Sequence, residues 1–116
     1  MSYDRDLLLE TILNCLRDSP HLSLSELSIE LRVSKRTIEK TIRTSRKMTY
    51  KNLQMEIILT AVRRALELHP TTSIKELSYA VGFKSPRSFA RAVRRVCGLC
   101  PTDLRAEVAF GRPRAI

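Results

Sequence analysis

No run in this sequence approaches the roughly 20 consecutive apolar residues that a membrane-spanning helix needs. The first residues carry acids (Asp4, Asp6) and no small-residue cleavage site, so a secretory leader is not expected. Glycine is scarce, three in 116 residues, and the chain has no phosphate-cradling loop. It also has no nucleophile–base pair and no metal-ligand cluster, so no catalytic residue, metal site or cofactor is expected. The alternating pattern of a strand is missing as well. Three cysteines make an odd count, and Cys97-Gly-Leu-Cys100 has redox-like spacing. A thioredoxin-type site requires a βαβ setting, and a zinc site requires four ligands, which Cys15 and His69 complete only with difficulty. The simpler reading is that reduced Cys97 ends a helix that Gly98 caps.

What the chain does have is positive charge. The net charge is +9, the isoelectric point is near 10.1, and 15 of the 21 cations are arginine, the cation suited to bidentate contact with phosphate or guanine. With 116 residues and 43% apolar content, the chain suits one domain or two small subdomains sharing a connection. Either half alone buries too little surface to be comfortably stable.

The segment from Ser73 to Arg105 organises the rest. Ser73 and Glu76 have the spacing of a capping box, and Ile74, Leu77, Ala80 and Val81 then recur on one helical face. Gly82 provides a turn position free of Cβ strain. Ser85-Pro86 starts a second helix, with Phe89, Val93 and Val96 inward and Arg87, Arg91, Arg94 and Arg95 outward. Two short helices across a tight turn form a helix-turn-helix. The same pattern occurs earlier: Ser23, Glu26, Leu27 and Ser28 match Ser73, Glu76, Leu77 and Ser78 at an offset of 50. After one extra residue in the later turn, Ser34, Arg36 and Arg43 match Ser85, Arg87 and Arg94 at an offset of 51. Two copies make a tandem pair, not a solenoid.

The fold expected is all-α, with seven helices in two helix-turn-helix subdomains joined by a long connecting helix. Residues 1–48 hold the first subdomain, opened by a helix over Asp6–Asp18 with Leu8, Leu9, Ile12, Leu13 and Leu16 inward. Residues 49–68 form the connector, whose apolar stripe is wide enough to face two partners. At ~30 Å, it approaches the ~34 Å advance of one turn of B-DNA. Residues 69–108 hold the second subdomain, closed by a helix over Pro101–Val108, and Ala109–Ile116 is expected to be a mobile tail. In the first turn Arg32 stands where Gly82 stands in the second, so either the arginine takes a left-handed conformation or the turn differs.

The candidate nucleic-acid-binding residues lie on the two second helices. Arg36, Lys40 and Arg43 fall at i, i+4 and i+7, and Arg87, Arg91 and Arg94 repeat that spacing in register. Each triplet shares one face, opposite the apolar one. Such a helix fits the major groove, where arginine reads guanine. Lys35, Arg36, Ser85, Arg87 and Ser88 lie near the helix starts, where base readers are expected; Arg94 and Arg95 suit phosphates, and Lys84 completes the candidate DNA-binding residues. Glu39 is the only acid of Ser34–Arg43, and Lys35 and Arg43 flank it at neutralising distance.

The second unit resembles the DNA-binding domain of the AraC/XylS family of bacterial transcription regulators. The resemblance is carried by IKELSYAVGF (Ile74–Phe83), Ser88-Phe89-Ala90-Arg91, Gly98-Leu99-Cys100-Pro101 and Leu104-Arg105, and extends from about Leu8 to Val108. It implies a monomer that binds an asymmetric promoter site in double-stranded DNA across successive major grooves, in the cytoplasm at the nucleoid. It also implies recruitment of RNA polymerase, with no membrane partner and no small-molecule ligand for this chain. The sequence departs from the family pattern at Ser28 and Ser78, where alanine is usual, and at Ile42 and Val93, where an aromatic is usual. Glycine is usual near Lys47, and arginine near Ile58. The residues before Leu22 are too few for a sensor domain, which suggests a sensor-free regulator or a piece of a larger one. The other class consistent with the sequence is a helical adaptor that binds an acidic protein without reading bases.

Overall fold

The computed structural model describes residues 5–109, which form seven helices and no strand. They are α1 (Arg5–Asp18), α2 (Leu24–Leu31), α3 (Lys35–Arg46), α4 (Tyr50–Leu68), α5 (Ile74–Ala80), α6 (Pro86–Cys97) and α7 (Pro101–Ala109). The all-α architecture expected from the sequence is the one found. Ala109 was expected to open the tail but is the last residue of α7. The remainder of that tail, and Asp4, lie outside the described residues.

Two apolar cores meet along α4. The first joins Leu8, Ile12 and Leu16 of α1 to Leu27, Ile38 and Ile42, and takes in Tyr50 and Leu53 from the start of α4. The second joins Ile58, Val62 and Leu66 of α4 to Leu77, Phe89, Val93 and Leu104. Burying each of these large side chains is worth about 1.5–3 kcal/mol, and α4 contributes to both cores because its apolar stripe covers more than one face. Ala80 departs from expectation: it is exposed, while Ser78 is fully buried. The Ser78 hydroxyl donates to the Lys75 carbonyl at 2.6 Å, so the buried hydroxyl is satisfied.

The two helix-turn-helix turns close their first helix in the same way, and the second then carries the extra residue Lys84. Arg32 N–H donates to the Ile29 carbonyl (3.3 Å) and Val33 N–H to that of Ser28 (3.2 Å). At the matching positions Gly82 N–H donates to Tyr79 (3.1 Å) and Phe83 N–H to Ser78 (3.0 Å). This paired closure of a helix end requires a residue at positive φ. Arg32 has φ 56° and Gly82 φ 105°, so the arginine does adopt the left-handed conformation. Ser28 reinforces the first turn by donating its hydroxyl to the Val33 carbonyl at 2.6 Å.

The helix starts differ from expectation in one respect. Ser23 and Glu26 form a complete capping box, each side chain accepting from the other's N–H at 3.1 Å. Ser73 accepts from Glu76 N–H at 3.0 Å, but the Glu76 carboxylate takes the Thr72 hydroxyl at 3.4 Å. The second box is therefore only half made, because a neighbouring hydroxyl competes for the carboxylate.

Candidate nucleic-acid interface

The second helix of each unit starts on a serine cap. Ser34 Oγ accepts from Thr37 N–H at 3.2 Å, and Ser85 Oγ accepts from Ser88 N–H at 3.1 Å. Ser85 also donates to Ser88 Oγ at 3.0 Å, leaving the Ser88 hydroxyl proton for another acceptor. Pro86 occupies the first turn of α6, where a missing N–H costs nothing. Gly98 ends α6 at φ 73°, and buried Cys97 is its last residue, as the plain reading of the cysteine pair requires. No disulfide joins Cys15, Cys97 or Cys100, and burial together with Glu30 and Asp18 raises the Cys15 pKa.

Lys35, Arg36, Lys40 and Arg43 are exposed on α3, with Ile38 and Ile42 fully buried on its other side. Arg87, Arg91, Arg94 and Arg95 are exposed on α6, opposite Phe89 and Val93, and Lys84 is exposed just before it. Ser85 and Ser88 are half-buried, as expected of side chains used in capping. α6 contains no acid, whereas α3 carries exposed Glu39.

Arg95 is set apart from the other cations of α6. Its Nη2 donates to the His21 carbonyl at 3.3 Å, across the boundary between the two units. Lys84, Ser88, Arg91 and Arg95 line a cleft of about 240 Å³ with His21 and Glu26 of the first unit. Glu26 stays ionised more readily than a free glutamate, chiefly through its bond from the Ser23 backbone, with Arg95 a smaller influence. Sequence periodicity places Arg95 on an outward face but carries no information about which neighbour that face meets.

A second group of side chains escaped the sequence reading entirely. Gln54 is buried in α4, and its amide donates to the carbonyls of Pro20 and Leu22, both at 2.8 Å. Tyr50 OH donates to the same Leu22 carbonyl at 2.7 Å. Burial, above all, raises the Tyr50 pKa and keeps the phenol a donor. A polar residue inside an apolar helical stripe is the only sequence signal these contacts leave.

The fold and the two capped, cation-bearing helices define a tandem helix-turn-helix protein. A family model described as a helix-turn-helix domain matches residues 27–107. The chain belongs to this family, the DNA-binding domain of AraC-type transcription regulators. This is a family of DNA-binding proteins, not a class of enzyme. The chain is 37% identical over 73 residues to the HTH-type transcriptional regulator GlxA of Rhizobium meliloti. That match takes in 63% of the chain and spans only about a fifth (22%) of the relative's length.

Solved structures share the fold. The C-terminal domain of AraT, a response regulator from Geobacillus stearothermophilus, superposes with a TM-score of 0.59 at 20% identity, over 90% of this chain and 85% of that one. A DNA-binding transcriptional dual regulator from Escherichia coli K-12 superposes with a TM-score of 0.52 at 21% identity, over 95% of this chain and 96% of that one. Among the described residues, no helix is long and apolar enough to cross a membrane, and no group of three or more His, Cys, Asp or Glu is placed to hold a metal ion.

Proposed function

We propose that the chain binds an asymmetric promoter site in double-stranded DNA as a monomer and inserts α3 and α6 into successive major grooves. The observation that carries this reading is the matched pair of serine-capped helices with exposed cations at i, i+4 and i+7. Lys35, Arg36, Lys84, Ser85, Arg87 and Ser88 sit toward the helix starts, where side chains reach base edges, and Lys40 and Arg91 lie midway along the same faces. Arg43 and Arg94, further along, suit phosphates. The 19-residue α4 spans about 28 Å, which supports a spacing near one turn of DNA. Cytoplasmic action at the nucleoid follows from that role.

Contact with RNA polymerase belongs to the same proposal. A groove of about 820 Å³ runs along α4 and is lined by Leu53, Ile57 and Leu68 together with Arg17, Arg46 and Arg64. An acidic, partly apolar protein surface suits it better than bare DNA does. Reversing the charge of Arg17 and Arg64 should abolish polymerase contact while the DNA footprint persists; an unchanged polymerase interaction would rule this surface out.

Selection of a site from random duplexes, followed by footprinting, tests the main reading. Two protected segments about 10 base pairs apart are expected. Protection of one half-site only would remove the two-headed mode. Binding indifferent to sequence would favour an adaptor that reads no bases.

A further inference from the structure

The stretch from the end of α1 to just before α2, residues 18–22, ties α4 to the second unit, in addition to the direct packing of α4 on α3 and α6. On one side it is held to α4 by Gln54 and Tyr50 through the three hydrogen bonds to Pro20 and Leu22. On its other side it meets the turn of the second unit. A Cβ on Gly82 would lie 3.4 Å from Pro20 Cδ and 3.6 Å from the Asp18 carbonyl, so the loop and the turn are in van der Waals contact. The His21 ring packs on Phe83 at 6.3 Å between centroids, and Phe83 packs on Phe89 of α6 at 5.3 Å. Arg95, also on α6, closes the contact through its bond to the His21 carbonyl. A continuous path thus runs from α4 through this loop to the inner face of the second reading helix.

We propose that the 18–22 loop is a clamp that sets the half-site spacing the protein accepts, with Gln54 and His21 as positioning residues and Arg95 as a tie between units in place of a phosphate contact. The inference rests on the two-headed reading above. A connector joined to each unit at a single helix would leave the second unit free to pivot, and a pivoting pair tolerates several spacings. A clamped pair does not, because each added base pair turns the second groove by roughly 34° around the DNA axis. One feature otherwise without a purpose fits this role: buried Gln54 spends its amide on loop carbonyls.

The test uses duplexes in which the selected half-sites are moved closer or further apart by one or two base pairs. The intact protein should prefer one spacing by about tenfold over its neighbours, and Gln54→Met should reduce that preference to about twofold. Affinity for an isolated half-site should not change. His21→Ala removes only the ring contact and leaves the Gln54 bonds in place; it should flatten the profile in the same direction, so a folding defect in Gln54→Met would not decide the matter. If the intact protein shows no spacing preference, the two-headed reading fails and the clamp with it. If it does show one and both variants keep it, the clamp is wrong and the two-headed reading stands. Arg95→Ala separates the remaining roles. A flattened spacing profile at constant salt dependence makes Arg95 a tie. A preserved profile with the log–log salt slope shallower by about one makes it a phosphate contact and overturns its part of the clamp.

Discussion

Arg32 and Lys47 are held at φ 56° and 57°, where an L-residue other than glycine is strained. The strain costs about 1–2 kcal/mol relative to glycine, and glycine gives back about 0.5–1 kcal/mol through its greater freedom in the unfolded chain. Arg32→Gly should therefore stabilise the protein by about 0.5–1 kcal/mol and raise the thermal midpoint by a few degrees. Arg32 is exposed, so the change leaves no cavity. Scanning calorimetry of the variant checks this, and a lowered midpoint would mean that the arginine side chain makes a contact that outweighs its backbone strain. The reverse exchange is not symmetric. A side chain at Gly82 would meet a φ of 105°, further from the left-handed helical region than Arg32's 56°, while its Cβ would make only ordinary contact with Pro20.

α3 and α6 are equal in length, 12 residues each, and alike in their caps, but unlike in charge. Exposed Glu39 lies among the cations of α3, whereas α6 has no acid to repel phosphate. Arg91→Ala should therefore weaken specific binding more than Lys40→Ala, its counterpart in the repeat, by ~1–3 kcal/mol if Arg91 reads a base. Affinities of both variants for specific and scrambled duplexes decide it; a larger loss with Lys40→Ala would make the first unit the main reader. Capping does not favour the second unit, since Ser23 and Glu26 in the first unit make the complete box. The helices themselves, their caps and the inward faces of α3 and α6 were legible because each depends on residues within a few positions of one another. The left-handed Lys47 was not, since no glycine marks it and only the family's usual glycine nearby hints at it. The bonds of Gln54 to residues 34 and 32 positions away, and the turn of Arg95 toward the first unit, depend on tertiary packing. Periodicity along one helix contains nothing about that packing.

For the molecule as a whole, the decisive quantity is how many cations meet DNA phosphates together. Net charge alone overstates it, because cations lining the α4 groove, such as Arg17 and Arg64, belong to a different surface from the two reading helices. On α3, on α6 and just before α6, the exposed cations outside the inter-unit tie and the α4 groove, which takes Arg46, are Lys35, Arg36, Lys40, Arg43, Lys84, Arg87, Arg91 and Arg94. If roughly six to eight of these sites neutralise phosphates, counterion release sets a slope of log affinity against log salt of about −5 to −7. Only simultaneous engagement of both helices reaches that value, since either one contributes about half of the cations. A slope near −3 would therefore mean that one unit binds while the other is idle, and one shallower than about −2 would mean that neither basic face meets DNA. Measuring the slope on the full site and on each half-site separates these cases. The full-site slope should equal the sum of the two half-site slopes, because phosphates neutralised by independent faces add.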